Sequence, residues 1–382
     1  MRELPILELG DAPYERGLDH GRAMRDHIRE VSNVYLARFA LGGIDQVTAE
    51  REGEAWMQFM REDNPEYFSE MEGIAAGADI ALRDIVLLNA RYEVTYSIFS
   101  QETRAARALE PDGCTCFGLM PETTASSHTI LGQNWDWLAG LAGRTFVARV
   151  RRREKPDFIG YAEAGIVGCK NAVNEHGIGL CVNGLVTAED GKHRYRKPLH
   201  VRCRELIDAA RFDLALLPFL QTDRVCSANI LVGQAEGEII NLELTPDAAN
   251  YLFPRDGIIV HANHMVHPRS LPSQLERIAP NTLYRDIRVE RGLRRRAGTI
   301  DAAAIREVMS DHYSYPAAVC RHEDPELPAA RRMITVACIA LDLDARVLSA
   351  TGGQPCKRDL VAYPLYPERG SSVRAQTEEA IA

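Results

Sequence analysis

From about residue 13 to residue 98, apolar residues return at helical spacing among Glu, Arg and Ala, which predicts helices over 14–39, 46–60, 65–76 and 84–98. A polar stretch, 99–113, then ends in the turn signal Pro111-Asp112-Gly113, and the period changes. Strands are predicted over 114–120, 129–137, 145–150, 158–163 and 178–182. The stretch 198–220 reads as a helix, 229–244 as a hairpin turning at Glu236-Gly237-Glu238, and 257–261 as a short strand. Helices follow over 272–292 and 301–310, and a last hairpin spans 333–350. Helices and strands come in blocks, so an α+β layered fold is expected rather than alternating βαβ units.

Composition narrows the function classes. The 382 residues are 46% hydrophobic and 26% charged, the mix of a globular protein able to bury a large core, and the length fits two domains or one large α+β domain. A net charge of −9 leaves no basic surplus, so neither a nucleic acid nor an anionic membrane is expected as a partner. No apolar run approaches the roughly 20 residues that span a bilayer. Glu3, Pro5 and Glu8 interrupt the first segment where a signal peptide needs its apolar core, so a cytoplasmic location is expected. The nine cysteines are scattered without a Cys-x-x-Cys pair. That pattern predicts neither a disulfide framework nor a zinc ribbon, and no metal or cofactor is expected.

The candidate chemistry lies in the segment from Gly113-Cys114-Thr115-Cys116 to Asn134-Trp135-Asp136, which reads as one antiparallel hairpin turning within 121–127. A register with Cys114 opposite Asp136 has its midpoint at residue 125, inside that turn, and puts a thiol and a carboxylate on neighbouring strands. A cysteine directly after glycine also suits self-cleavage. The glycine carbonyl is open to attack by the next side chain, and the freed α-amine, with a reference pKa of about 7.7 to 8.0, serves as base for its own thiol. Cys116 is the rival nucleophile but is preceded by Thr115, not glycine.

These residues carry a resemblance. Gly113-Cys114-Thr115 followed by Gly132-Gln133-Asn134-Trp135-Asp136 resembles the peptidase C45 family, the acyl-coenzyme A:6-aminopenicillanic acid acyltransferases (isopenicillin N acyltransferases) among the N-terminal nucleophile hydrolases. The likeness extends through Tyr14-Glu15-Arg16-Gly17, His20-Gly21, Glu72-Gly73, Leu88-Asn89-Ala90-Arg91, Glu163-Ala164-Gly165, Asn174-Glu175-His176-Gly177, His261-Ala262-Asn263-His264 and Cys320-Arg321, covering roughly residues 5 to 350. It implies one four-layer αββα domain over residues 1–382 that cuts itself into 1–113 and 114–382, the N-terminal fragment staying bound as a partner. The resemblance further implies Cys114 as nucleophile, Asp136 orienting its amine, and Arg321 near the thiol, where a cation favours thiolate. It makes Asn263 the oxyanion donor, with a backbone N–H near Asn183 as a second.

Trp137 follows Asp136 directly and is read as an acyl-pocket wall or as core. The expected reaction is hydrolysis of a small N-acyl amine or amino-acid conjugate through a thioester. Three alternatives stand beside it: acyl-CoA-dependent N-acyl transfer, an uncleaved thiol hydrolase using His261 or His264 as base, and an inactive scaffold. His261, His264 and His267 recur every third residue, but no carboxylate or Cys completes a metal set at usual spacing. Oligomeric state is open, and a homo-oligomer is compatible with the sequence.

Overall fold

The computed structural model describes residues 3–99, 113–220 and 224–367. The expected polar stretch 99–113 falls almost wholly outside them. Among the described residues the strands are β1 (Ile6–Leu9), β2 (Thr115–Leu119), β3 (Ile130–Leu138), β4 (Thr145–Val150), β5 (Phe158–Glu163), β6 (Asn171–Asn174) and β7 (Ile178–Gly184). The rest are β8 (Ala228–Gln234), β9 (Glu238–Leu244), β10 (Ala249–Leu252), β11 (Ile258–His261), β12 (Met333–Asp342), β13 (Val347–Ala350) and β14 (Val361–Pro364). They form two sheets, ordered β1-β4-β5-β6-β7-β8-β9-β10 and β11-β2-β3-β12-β13-β14. Among these strand pairs only β1–β4 is parallel.

The sheets pack face to face, β3 against β7 and β8 and β12 against β6. The helix Leu199–Ile207 lies on the first sheet, against β6 and β7, while Thr282–Arg294 and Ala302–Met309 lie on the second. The result is an αββα sandwich. Along β3, Leu131, Trp135 and Trp137 join the core between the sheets. On the second sheet's other face, Phe117, Leu119 and Ile130 meet Val289, Leu293, Ile305 and Met309 of the covering helices. With both faces covered, every residue of β2 and β3 is buried, so polar side chains there need partners.

The expected helix over 14–39 divides at Met24 into Pro13–Ala23 and Arg25–Leu41, and 84–98 divides at Ala90. Likewise 198–220 becomes Leu199–Ile207 and Phe212–Leu220. Only Thr282–Arg294 of 272–292 is α-helical; Leu275–Arg277 forms a single tight turn, and Pro280, lacking an N–H, stands just before the helix. Strands β1, β6, β10 and β14 were not predicted; each has only four residues, too short for a period to register.

Close backbone contact explains Gly17 and Gly73 of the N-terminal motifs. A Cβ on Gly17 would stand 2.0 Å from the Glu70 carbonyl oxygen, and one on Gly73 2.1 Å from that of Tyr14. Pro13–Ala23 and Pro65–Ala78 therefore approach each other backbone to backbone at these two glycines. On the first of these helices, His20 accepts a hydrogen bond from the Gly165 N–H at 3.0 Å. Burial lowers its pKa from 6.5 to about 4, with Glu70 opposing. The unfolded chain takes up that proton as pH falls through 6.5 and the folded chain only near 4, so the contribution to stability is lost between those values. From His20 alone a drop on the order of 3 kcal/mol is expected. Burial raises the Glu93 and Asp190 carboxyls to about 7, and they act in the opposite direction over the same window. The His20 share is therefore the difference in urea stability, at pH 7 and 4.5, between an uncut Cys114→Ala chain and the same chain with His20→Gln, whose amide oxygen still accepts from Gly165.

Candidate active site

Cys114 lies one residue before β2, fully buried, with its Sγ 3.7 Å from the Asp136 carbonyl oxygen. The observed hairpin register differs from the expected one by a residue: Thr115 faces Asn134 and Leu119 faces Ile130. The cause is the connection, in which Pro121–Thr123 forms a tight turn, Thr124 bridges to Ile300 and Ser127 takes a positive φ. The shift changes what the Asp136 carboxylate meets. Its Oδ2 is 3.1 Å from where a Cβ on Gly113 would stand, and the Arg321 Cζ is 3.0 Å from the same point. Both groups thus lie against the Gly113–Cys114 peptide. A side chain at residue 113 would press on the Arg321 guanidinium and the Asp136 carboxylate, which is a second, spatial reason for glycine there.

Asp136 is held from the next strand. Its Oδ1 accepts from the Thr335 hydroxyl at 2.6 Å, and the same hydroxyl accepts from the Arg321 N–H at 2.7 Å. The Thr335 N–H donates in turn to the Arg321 carbonyl at 3.0 Å. The β12–β3 register shifts between Thr335 and Ala337, a bulge of the kind that re-aims side chains beside functional sites. Through it one threonine fixes both the carboxylate and the backbone that carries the guanidinium.

Arg285, which the sequence reading missed, gathers the other half of the site. From the helix Thr282–Arg294 its fully buried guanidinium donates to the Gly113 carbonyl, to the Cys114 carbonyl at 2.6 Å, to the Thr115 hydroxyl at 2.8 Å and to Asn263 Oδ1 at 2.7 Å. Asn263 is oriented as a result: its Oδ1 faces Arg285, while its Nδ2 donates to the Gly184 carbonyl at 2.9 Å. In the sequence Arg285 sits among Tyr284, Asp286 and Arg288 and reads as a solvated helix face. No local signal marks it.

Asn183 is placed differently. Its Nδ2 donates to the His261 and Ala262 carbonyls, both at 2.9 Å, and approaches Cys116 Sγ at 3.3 Å. Asn229 Nδ2 stands 3.5 Å from the same sulfur. Burial raises the Cys116 thiol pKa well above its usual value, leaving a neutral group between two amides. Trp137 is buried, donates its indole N–H to the Tyr35 hydroxyl at 2.8 Å, and lies beneath the guanidinium groups of Arg38 and Arg91. Tyr35 then donates to Glu163, which also accepts from Arg91. The three spaced histidines take different partners, although the His261 and His264 rings stack with centroids 6.4 Å apart. His261 uses one ring nitrogen on Glu243 and the other on the Ala262 carbonyl, His264 faces Thr282, and His267 accepts from the Arg269 N–H. Although burial opposes it, hydrogen bonds from His261, Ser270 and the Val266 N–H hold the Glu243 carboxyl down to about 2.

Among the described residues no helix is long and apolar enough to cross a membrane. Residues 123–356 match the family described as acyl-coenzyme A:6-aminopenicillanic acid acyl-transferase. The chain is 28% identical over 317 residues to the 40 kDa form of the acyl-coenzyme A:6-aminopenicillanic-acid-acyltransferase of Emericella nidulans, covering 81% of this chain and 82% of that protein. It is also similar to solved structures. A Caenorhabditis elegans N-acylethanolamine-hydrolyzing acid amidase ortholog matches with TM-score 0.45 and 14% identity over 60% of this chain and 93% of the other. A mutant of the conjugated bile acid hydrolase from Clostridium perfringens matches with TM-score 0.46 and 11% identity over 66% and 92%.

Proposed function

Because the chain belongs to the acyl-coenzyme A:6-aminopenicillanic acid acyl-transferase family, we propose that it is an autoprocessed cysteine amidohydrolase of the N-terminal nucleophile type, whose first substrate is its own Gly113–Cys114 bond. The observation that carries this reading is the convergence on one peptide. Arg285 donates to the Gly113 carbonyl oxygen, Asp136 and Arg321 lie against Gly113, and Cys114 supplies the adjacent thiol. Sγ attacks the Gly113 carbonyl carbon, the oxyanion forms on the oxygen that Arg285 holds, and the C–N bond breaks as the thiol proton passes to the departing Cys114 nitrogen. Water then hydrolyses the Gly113 thioester, leaving a carboxylate on residue 113 and a free amine and thiol on Cys114. The new amine, oriented by Asp136, takes the thiol proton in each later turnover.

External substrates are small N-acyl amines or amino-acid conjugates. Cys114 forms a thioester with the acyl group, Asn263 Nδ2 and a backbone N–H near Asn183 receive the oxyanion, and the amine leaves with the proton held by the Cys114 ammonium. Trp137 enters as an apolar wall, since its N–H is already given to Tyr35. The likeness to an acyl-CoA-dependent acyltransferase favours a second reading, in which an amine rather than water resolves the same thioester. The test is intact mass on purified protein, followed by amine release from a panel of N-acyl amines. Conversion into residues 1–113 and 114–382 with hydrolysis of the panel is expected. A chain that remains full-length and is nonetheless active would overturn self-processing, and acylation of added amines from acyl-CoA without hydrolysis would move the reading to transfer.

A further inference from the structure

Beside the candidate active site, four soft donors converge from segments the sequence separates widely. His312 and the pair Cys320 and His322 come from the loop after the helix Ala302–Met309, and Cys356 comes from the turn after β13. Their ligating atoms all lie within 4.8 Å of one another. Cys320 Sγ is 3.6 Å from Cys356 Sγ and 3.7 Å from His322 Nε2. His322 Nε2 is 3.5 Å from Cys356 Sγ and 3.1 Å from His312 Nε2.

These separations fit four of the six edges of a coordination tetrahedron, and the other two, from His312 to the sulfurs, lie within 4.8 Å. With zinc–sulfur bonds of about 2.3 Å and zinc–nitrogen bonds of about 2.0 to 2.1 Å, the edges of a tetrahedral site are about 3.8 Å between sulfurs, 3.6 Å between sulfur and nitrogen and 3.3 Å between nitrogens. The four distances in the fold match those edges to within about 0.2 Å. The same separations also suit hydrogen bonds, but thiols are weak donors and acceptors, so two sulfurs and two imidazole nitrogens turned towards one point gain more from a shared ion. Two thiolates and two neutral imidazoles select a tetrahedral, borderline-soft divalent ion, whereas hard cations prefer oxygen.

We propose that His312, Cys320, His322 and Cys356 bind one zinc ion as a structural Cys2His2 site. On binding, each thiol releases its proton to solvent, so the two thiolates neutralise the dication and no oxidant or reductant is required. Cys320 is buried and His312 exposed, so the ion enters from the His312 side. The loop is already partly shaped for it: the Cys320 N–H donates to the Asp311 carbonyl at 3.0 Å and the His322 N–H to the Pro316 carbonyl at 2.9 Å. Gln354, two residues before Cys356, donates to the Arg321 carbonyl at 3.1 Å. Two of the ligands flank Arg321, so the ion anchors the backbone on both sides of the guanidinium that lies against Gly113. The site does not depend on the proposed reaction, and its test reads metal instead of turnover.

The measurement is elemental analysis of the full chain purified without chelator, with cobalt(II) titration of metal-stripped protein as a second readout. One zinc per chain is expected, together with the visible absorption of tetrahedral cobalt–thiolate. His312→Ala removes an exposed ligand and should keep the native circular dichroism, yet lower metal affinity at least ~10-fold. Cys356→Ser should abolish the cobalt–thiolate spectrum or reduce it sharply. A natively folded protein that holds no zinc after growth in zinc-supplemented medium and gives no cobalt spectrum would overturn the proposal. So would a metal-free protein with a disulfide between Cys320 and Cys356, or His312→Ala and Cys356→Ser variants that retain full metal content and spectrum.

Discussion

A Cys114→Ala chain is expected to stay at its full 382 residues and to hydrolyse no amide, whereas the proposed mechanism has the wild type cut itself and hydrolyse amides. The variant lacks the thiol that stands next to the Gly113 carbonyl and is proposed to attack it, and without that cut there is no free α-amine to act as base. Loss of nucleophile and base together removes covalent catalysis, so a fall of about four orders of magnitude or more is expected for both self-cleavage and turnover. The change from Cys to Ala deletes one sulfur at a buried position, and the fold should persist. Cys116→Ser is the matched control. Its hydroxyl still accepts from Asn183 and Asn229, so that variant should cut itself and turn over. Intact mass settles the first point, and amine release from an N-acyl substrate the second. A Cys114→Ala chain that still appeared as two pieces would end the thiol mechanism.

Arg285→Met should slow self-cleavage by about 10² to 10³, the cost of removing one donor from a developing oxyanion in a dry site. The guanidinium donates to the Gly113 carbonyl, where negative charge forms, and is already aimed before reaction. Methionine fills a similar length but donates nothing, leaving the Gly113 and Cys114 carbonyls and Asn263 Oδ1 without that partner. Arg285→Lys keeps a cation and should recover part of the rate, though one ammonium does not reproduce a fork that spans Asn263 and the Gly113 carbonyl. Half-times of conversion, followed by mass after expression and purification in the cold, give the rates. A thermal melt on each variant separates chemistry from stability. If Arg285→Met folds and converts at the wild-type rate, the residue only packs the site and does not polarise the scissile carbonyl.

The two halves of the site differ in how far the sequence reveals them. Gly113-Cys114 is legible because the chemistry proposed for it is local: the carbonyl and the thiol are neighbours in the chain. Asp136 follows from the hairpin, and Arg321 and Asn263 from motif resemblance; the fold brings all three to that peptide, directly or through Arg285. Thr335 and Arg285 are not legible. A threonine in Met333–Asp342 looks like any β-branched strand residue, and a buried arginine on a helix is indistinguishable in a pattern from one on a solvated face. Asn183 shows the converse. The resemblance points to its segment as an oxyanion donor, while its side-chain amide is used on Cys116 and two carbonyls.

By itself the sequence determined the layered α+β character, the change from helices to strands near residue 113, and the cysteine marked by a preceding turn glycine and a following Asn134-Trp135-Asp136 strand. These rest on periodicity and on chemistry between adjacent residues, both of which are written along the chain. Tertiary structure alone decided the hairpin register, the grip of Arg285 on the Gly113 carbonyl, the bulge that lets Thr335 hold Asp136, and the meeting of His312, Cys320, His322 and Cys356. Each depends on groups brought together from distant segments by burying both faces of two sheets. A buried polar atom must find whatever partner that packing supplies, and no spacing in the sequence specifies it.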